Sequence, residues 1–264
     1  QIYFSTIFGR KVAIRENYMD ISTLLVLEKF PEYATKGVYL ISGCWHFPFH
    51  NIAFFEAYCK LLRFLYKKGN LQGHFLIGDI IDMHSISRHG KGKITVPGLT
   101  LTQEYEEANL CLDLFDKVAP KCNKEFMYGN HEMWYSQYMQ GTEAFKLGTG
   151  VIKSPREALK LDQRGYNVQT DYKNAEIRIG KNFKAIHGVW CNKHAAHKHL
   201  QELKSNVIFV HTHRMSSFVD GEYEAYNIGW GGNKNYKVYN YMTREQKMSW
   251  ANGCAVLIDY EHTI

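Results

Sequence analysis

The sequence predicts a layered α/β fold, and three observations carry that prediction. Five short runs rich in β-branched and aromatic residues, "VYLIS" (38–42), "HFLIG" (74–78), "EFMYG" (125–129), "FKAIHG" (183–188) and "VIFVH" (207–211), read as buried strands. Segments of helical periodicity separate the first three runs and precede the fifth. At 264 residues, 45% hydrophobic and 22% charged, the chain is long enough to bury a large core without staples. Alternation of strand and helix of this kind builds sheets covered by helices.

Each element has its own justification. In "NIAFFEAYCKLLRFLYKKGN", Ile52, Phe55, Leu62 and Leu65 fall at helical spacing, and lysines followed by glycine mark the end. A second helix, "LTQEYEEANLCLDLFDKVAP", joins the second and third strands and is closed by Pro120. "NKHAAHKHLQELKS" reads as a helix ahead of the fifth strand. After Arg214 the chain turns rich in Gly, Tyr and Asn, and "FVDGEYEAYNIGW" and "GCAVLIDYE" read as antiparallel strands linked by turns. Residues 1–36 form an N-terminal extension with one expected helix, "DISTLLVLEKF", and residues 37–264 a single domain.

The formal charge of +6 favours a polyanionic partner without requiring one, because the basic residues are scattered. Six cysteines without a CxxC pair argue against a disulfide framework or zinc knuckle and fit a reducing compartment. No run approaches the ~20 apolar residues of a membrane span, and no charged-then-apolar leader is evident.

Every strand runs into residues able to bind a metal: Cys44 and His46 after the first, Asp79 after the second, Asn130 and His131 after the third, His187 after the fourth, His211 and His213 at the fifth. One such residue means little, since a polar group at a strand end is commonly a turn residue. Five loops at the carboxyl ends of strands, however, deliver their side chains to one place. Imidazole, carboxylate and amide donors suit Mn, Fe, Zn or Ni better than the all-oxygen shells of Ca or Mg. Seven candidate ligands exceed one ion's needs; two ions about 3.5–4 Å apart, sharing a carboxylate, would use them and provide a bridging hydroxide for in-line attack on phosphorus.

"GDIID" (78–82), "GNHE" (129–132), the histidine of "IHG" (186–188) and "HTH" (211–213) resemble, in order and spacing, the signature blocks of the calcineurin-like metallophosphoesterases. The resemblance covers residues 38 to about 230. It implies a four-layer α-β-β-α sandwich of two mixed sheets and a dinuclear phosphoester hydrolase holding two divalent transition-metal ions, Mn, Zn or Fe. Asp79 resembles the bridging carboxylate. His46 and His213, with position 44, would complete one site; Asn130, His187 and His211 the other, Asn130 also meeting substrate. His131 resembles the non-ligand histidine that protonates or steadies the leaving oxygen, with Asp82 orienting it.

The sequence departs from the family at position 44, where "CWH" replaces the usual D-x-H. Thiolate ligation and loss of a ligand both account for this. A bound cation deprotonates a thiol outright, and the strand-end position favours the ligand; free cysteine is also a common small core residue. Arg88, in "MHSISRHGK", is a candidate phosphate contact, as is His50 in "FPFHN", each with an ordinary loop or capping role as the alternative. His194, His197 and His199 lack an HExxH pattern and read as a solvated helix face.

Three functions follow: a phosphodiesterase or nuclease acting on nucleotides or nucleic acid, a phosphomonoesterase, or a non-catalytic metal-binding scaffold. Mild basicity and 18 Tyr with 15 Phe suit the first. Glu132 resembles the serine/threonine phosphatase branch, but that branch places arginine where Met83 stands. "CWHFPFHN" and "GDIIDMHSISR" resemble small phage and bacterial phosphoesterases more closely, which implies the cytoplasm of a bacterium or infected host.

Overall fold

Side-chain alternation places the predicted strands in the middle of a stack. The computed structural model describes residues 3–5, 11–13, 37–87, 98–141, 152–179 and 183–258. A separate antiparallel pair, β1 (Tyr3–Ser5) and β2 (Lys11–Ala13), is all of the N-terminal extension within that range; the helix expected at "DISTLLVLEKF" lies outside the described residues. In β3 (Val38–Ser42), Val38 and Leu40 face one apolar layer while Tyr39 and Ile41 face another. In β4 (Leu71–Ile77), Leu76 faces the first layer, and Phe75 and Ile77 the second. A strand that buries both faces is central, which is why these runs are continuously apolar.

β5 (Asn123–Met127) and β6 (Tyr166–Gln169) extend β3 and β4 in parallel. β7 (Ile177–Ile179), β8 (Phe183–Ile186), β9 (Asn206–Phe209), β10 (Met215–Val219) and β11 (Glu224–Ile228) form a second five-stranded sheet, in the order β10-β11-β9-β8-β7. β12 (Ala255–Ile258) returns to the first sheet, antiparallel to β3, giving the order β12-β3-β4-β5-β6. β11 pairs antiparallel with β10, as its sequence suggests, and also parallel with β9.

Helices cover both outer faces. α1 (Ile52–Lys68) and α2 (Leu101–Val118) pack on the first sheet through Phe55, Leu62, Leu65, Leu112 and Phe115. Asn51 caps α1 by accepting from the Phe54 N–H at 3.3 Å, and Thr100 and Gln103 form a capping box at α2. α3 (Asn130–Gly141) starts at the "GNHE" block, followed by the short α4 (Pro155–Ala158). On the far side, α5 (Ala195–Leu203) packs against Val207 and Phe209, whose neighbours Ile208 and Val210 face the inter-sheet layer. Two mixed sheets flanked by helices make the four-layer sandwich that the signature blocks imply. No described helix is long and apolar enough to cross a membrane.

The long connection from β11 to β12 departs from the expectation of turns between strands. It carries a 3-10 turn, Lys237–Tyr239, and a short helix, α6 (Arg244–Met248), capped by Thr243 and Gln246. This connection stands over the carboxyl ends of the central strands.

Candidate metal centre

The loops leaving β3 and β4 are held together by main-chain bonds. The Cys44 N–H donates to Gly78 O at 2.8 Å, His46 N–H to Asp79 O at 3.0 Å, and Phe47 N–H to Ile80 O at 2.9 Å. This pairing requires unusual backbone. Cys44 (φ +48°), His46 (+50°), Asp79 (+52°), His211 (+71°) and His213 (+61°) are left-handed, and they are five of nine such non-glycine residues among those described. Side chains resist this region, so its concentration at candidate ligands marks a site under functional constraint. Two glycines make room for it: a Cβ at Gly129 would collide with the Asp79 carboxylate, and one at Gly78 (φ +90°) would come 2.5 Å from His187 Nδ1.

Two donor sets result, with one Asp79 oxygen facing both. Around His187 Nε2 lie Asp79 Oδ2 at 3.2 Å, Asn130 Oδ1 at 3.3 Å and His211 Nδ1 at 3.2 Å. His46 Nε2 lies 3.0 Å from His213 Nε2 and 4.0 Å from the same Asp79 Oδ2. Nitrogen and oxygen ligands held about 2.0–2.2 Å from one ion stand roughly 3 Å apart, so these spacings fit shared cations.

The hydrogen bonds behind the donors fix which lone pairs face inward. His187 Nδ1 donates to Ile77 O at 2.9 Å, and His46 Nδ1 to the Asp82 carboxylate at 2.9 Å. Each Nε2 is thereby left as an acceptor among acceptors, an arrangement that calls for a positive charge. Burial pushes His187 down, but the Asp79 carboxylate, the Ile77 carbonyl and Glu132 together outweigh it and the net direction is up, so a proton and a cation compete for its Nε2. His211 is pushed down to about 3 by burial and then by His187; His213 is lowered by burial and by His46.

Cys44 is wholly buried, and its Sγ accepts the His211 N–H at 3.2 Å. Its sulfur belongs to two clusters of potential ligand atoms within 4.8 Å of one another, one with His46 and His213 and one with Asp79 and His187. Burial, followed by Asp79, raises the thiol's pKa well above its usual value. A cation would reverse that preference, because a coordinating thiol loses its proton. The residues present thus fit divalent cations, with the Cys44 sulfur among the donors of both groups.

Asp82 meets His131 through its main chain rather than its carboxylate. The carboxylate lies on His46 Nδ1 and is 3.8 Å from His131 Nδ1. The Asp82 main-chain carbonyl takes the His131 Nδ1 proton instead, at 2.5 Å. His131 lines the cleft with its Nε2 4.0 Å from Asp79 Oδ2, and Trp134 packs on the ring at 3.9 Å. Glu132 is not in the cleft at all: it is fully buried and accepts the N–H groups of Asp79 (2.9 Å), Ile80 (2.7 Å), Ile81 (3.1 Å) and Gly129 (2.8 Å). Burial and Asp79 raise its pKa, against the pull of those N–H donors.

Other expectations divide. His50 does not reach the cleft; it is buried, edge-on to Phe47 at 4.9 Å and Phe55 at 5.2 Å, because apolar side chains on both flanks carry it into the core. Arg88 lies outside the described residues. Of the three histidines expected on a solvated helix face, His194, the N-cap of α5, is exposed, but His199 is buried and braces the "IHG" loop, accepting the Val189 N–H at 3.2 Å.

The β11–β12 connection supplies residues that no sequence signal marks. Trp230 stacks on His213 (4.4 Å, 15°), Trp250 meets the same ring edge-on at 4.7 Å, and Tyr239 and Tyr241 line the cleft. The open cleft has a volume of about 710 Å³ and contains His46, Asp79, Asn130, His131, His211 and His213.

No family model and no curated protein matches the chain. Similar solved structures include zinc-complexed Vps29 from Entamoeba histolytica, 14% identical over 73% of this chain and 74% of that one, with a TM-score of 0.36. Vacuolar protein sorting 29 from Cryptosporidium parvum is 12% identical over 74% of each chain (TM-score 0.37). Nuclease MPE from Pseudomonas putida is 12% identical over 76% of this chain and 77% of that one (TM-score 0.36). Likeness at this level says nothing of ligands or activity, and the reading of the centre rests on its own geometry.

Proposed function

We propose that the chain is a metal-dependent phosphoester hydrolase with a dinuclear centre, acting on phosphodiesters of nucleotides or nucleic acid. The observation that carries this reading is the position of Asp79 Oδ2 between two sets of inward-facing donors. Cys44, His46 and His213 hold one ion with Asp79; Asn130, His187 and His211 hold the other. The ions, Mn, Zn or Fe, would polarise the phosphoryl group and lower the pKa of the attacking water.

The chain's own residues do the rest. Asp82 keeps His46 in the tautomer that presents Nε2, and Ile77 O does so for His187. Glu132 holds the loop that carries Asp79. His131, tethered through Nδ1, presents Nε2 to the cleft, where it delivers a proton to the leaving oxygen or steadies its charge.

The test is hydrolysis of a generic phosphodiester and its monoester counterpart by metal-stripped protein refilled with Mn, Zn or Fe, with His131→Asn as control. Diester turnover that falls at least about 100-fold in that variant, with metal content unchanged, is the expected result. Monoester preference favours a phosphatase, and silence with every metal favours a scaffold.

A further inference from the structure

Beyond its donor sets, the cleft holds polar groups that the protein itself leaves unused. Tyr239 is 3% exposed, and its hydroxyl makes no hydrogen bond among the described residues. Folded proteins leave few buried hydroxyls in that condition, because each costs stability. The ring is fixed between Trp230 (5.4 Å) and Trp250 (5.6 Å) and lies edge-on to His46 at 6.3 Å. Its ring lines the cleft, and a phenolic hydroxyl is protonated at neutral pH and hence a donor.

A cation stands on the same rim. Arg156, Arg164 and Arg178 each meet a carboxylate, whereas Arg214 meets none among the described residues. Its Nε donates to Ser249 Oγ at 3.1 Å and its Nη1 to Asn192 O at 3.3 Å, which braces the guanidinium, and Nη2 makes no hydrogen bond among the described residues. A braced guanidinium without an acidic partner among the described residues, in the same cleft as an idle O–H donor, is suited to the oxygens of a phosphate. Tyr241, from the same wall, is 63% exposed and offers a planar face.

We propose that the cleft binds a nucleoside phosphodiester, with its phosphoryl oxygens on the Tyr239 hydroxyl and the Arg214 guanidinium and its base on the ring of Tyr241. This rests on the phosphoester reading above and adds the groups that select the substrate. Stacking on an exposed tyrosine tolerates any base, so the site discriminates between esters with and without a nucleoside rather than among sequences.

The experiment compares Tyr239→Phe, Arg214→Ala and Tyr241→Leu with the wild type. Substrates are p-nitrophenyl thymidine monophosphate and bis(p-nitrophenyl) phosphate, and calorimetry measures binding of thymidine monophosphate to metal-loaded protein. Tyr239→Phe and Arg214→Ala should each raise KM for both esters and weaken nucleotide binding by about tenfold or more, with metal content unchanged. Tyr241→Leu should raise KM for the nucleoside ester about tenfold more than for the other. Tyr239→Phe should also melt at or above the wild-type temperature, since it removes an unpaired buried hydroxyl. A lower melting temperature with unchanged KM would make Tyr239 a structural residue and overturn its assignment, as unchanged KM and affinity would for Arg214. If the wild type hydrolyses neither ester, the hydrolase reading fails by itself. Calorimetry then decides: tenfold weaker nucleotide binding in both variants keeps the subsite, and equal or absent binding removes it.

Discussion

Glu132→Gln is the most direct test of how the centre is held. The glutamate side chain is fully buried and accepts four main-chain N–H groups, two at each oxygen: Ile80 and Ile81 at Oε1, Asp79 and Gly129 at Oε2. Glutamine has nearly the same shape but replaces one acceptor with an NH2. Whichever way the amide turns, two N–H donors face another donor with no water to turn to. Each stranded donor costs about 1–3 kcal/mol, and the two remaining bonds lose the help of a charge. Against that, the neutral amide escapes the cost of burying a carboxylate. The donors win because four of them already compensate the charge, which leaves a net loss of about 4 kcal/mol. For a chain of this size that is a fall of roughly 10 °C in Tm, read by calorimetry or by the urea midpoint. Because Glu132 accepts the N–H groups of Asp79 and of Gly129, metal affinity should fall about tenfold in chelator competition. A variant within about 0.5 kcal/mol of wild type, with unchanged affinity, would show that Glu132 does not hold the loop.

The other perturbations act on single contacts. Cys44→Asp replaces a soft ligand with a hard one, so the ratio of Zn to Mn affinity should fall; an unchanged ratio in competition titrations would remove Cys44 from the ligand set. Asp82→Asn leaves an acceptor near His46 Nδ1 but takes its charge, and metal affinity should drop about tenfold, whereas an unaltered Kd would deny the carboxylate its orienting role. Acid should destabilise the fold. Burial lowers His50 to about 4, His74 to about 3 and His199 to about 4, so these histidines hold fewer protons folded than unfolded. Their contribution is complete above about pH 6.5 and is lost as pH falls toward 4, each at up to about 1.4 kcal/mol per pH unit. Glu104, raised to about 8 by burial and then Asp82, works in the opposite direction, losing stability as pH rises from about 4.5 to 8. The histidines outnumber it, so the urea midpoint should drop between pH 6.5 and 5; a flat profile would contradict their burial as neutral rings.

The central strands and the ligands were legible because the same feature encodes both. A continuously apolar run that ends in Asp, His or Cys states that a buried strand delivers a reactive side chain to a sheet end, and the seven candidate residues that the structure brings together were all proposed that way. Edge strands carry a weaker signal: β6, "YNVQ", and β7, "IRI", have too few residues to show a period. Asp82 exposes a different limit. Its place beside His131 was readable, but spacing cannot separate a residue's carboxylate from its carbonyl, and the two serve different histidines. The cleft wall was opaque because the segment between β11 and β12 has no repeating pattern. Trp230, Tyr239 and Trp250 read as ordinary core aromatics until the chain folds them over His213 and His46.

Backbone conformation links these observations. A left-handed residue other than glycine costs on the order of 1 kcal/mol or more, and five candidate ligands bear that cost within three loops. Glycine at these positions would relieve it and leave the main-chain bonds between the loops in place. Gly78 and Gly129, which stand beside Asp79, are glycine where a side chain would obstruct the ligands themselves. The chain therefore places glycine where space for the donors is needed and keeps Cys, His and Asp where a donor is needed, despite the strain. Glu132, through four N–H bonds, and Asp82, through His46, hold the strained loops in register. A scaffold that needed only the sandwich would have no use for this distribution. A centre that binds cations does, because binding to the folded state returns free energy that the bare loops forgo.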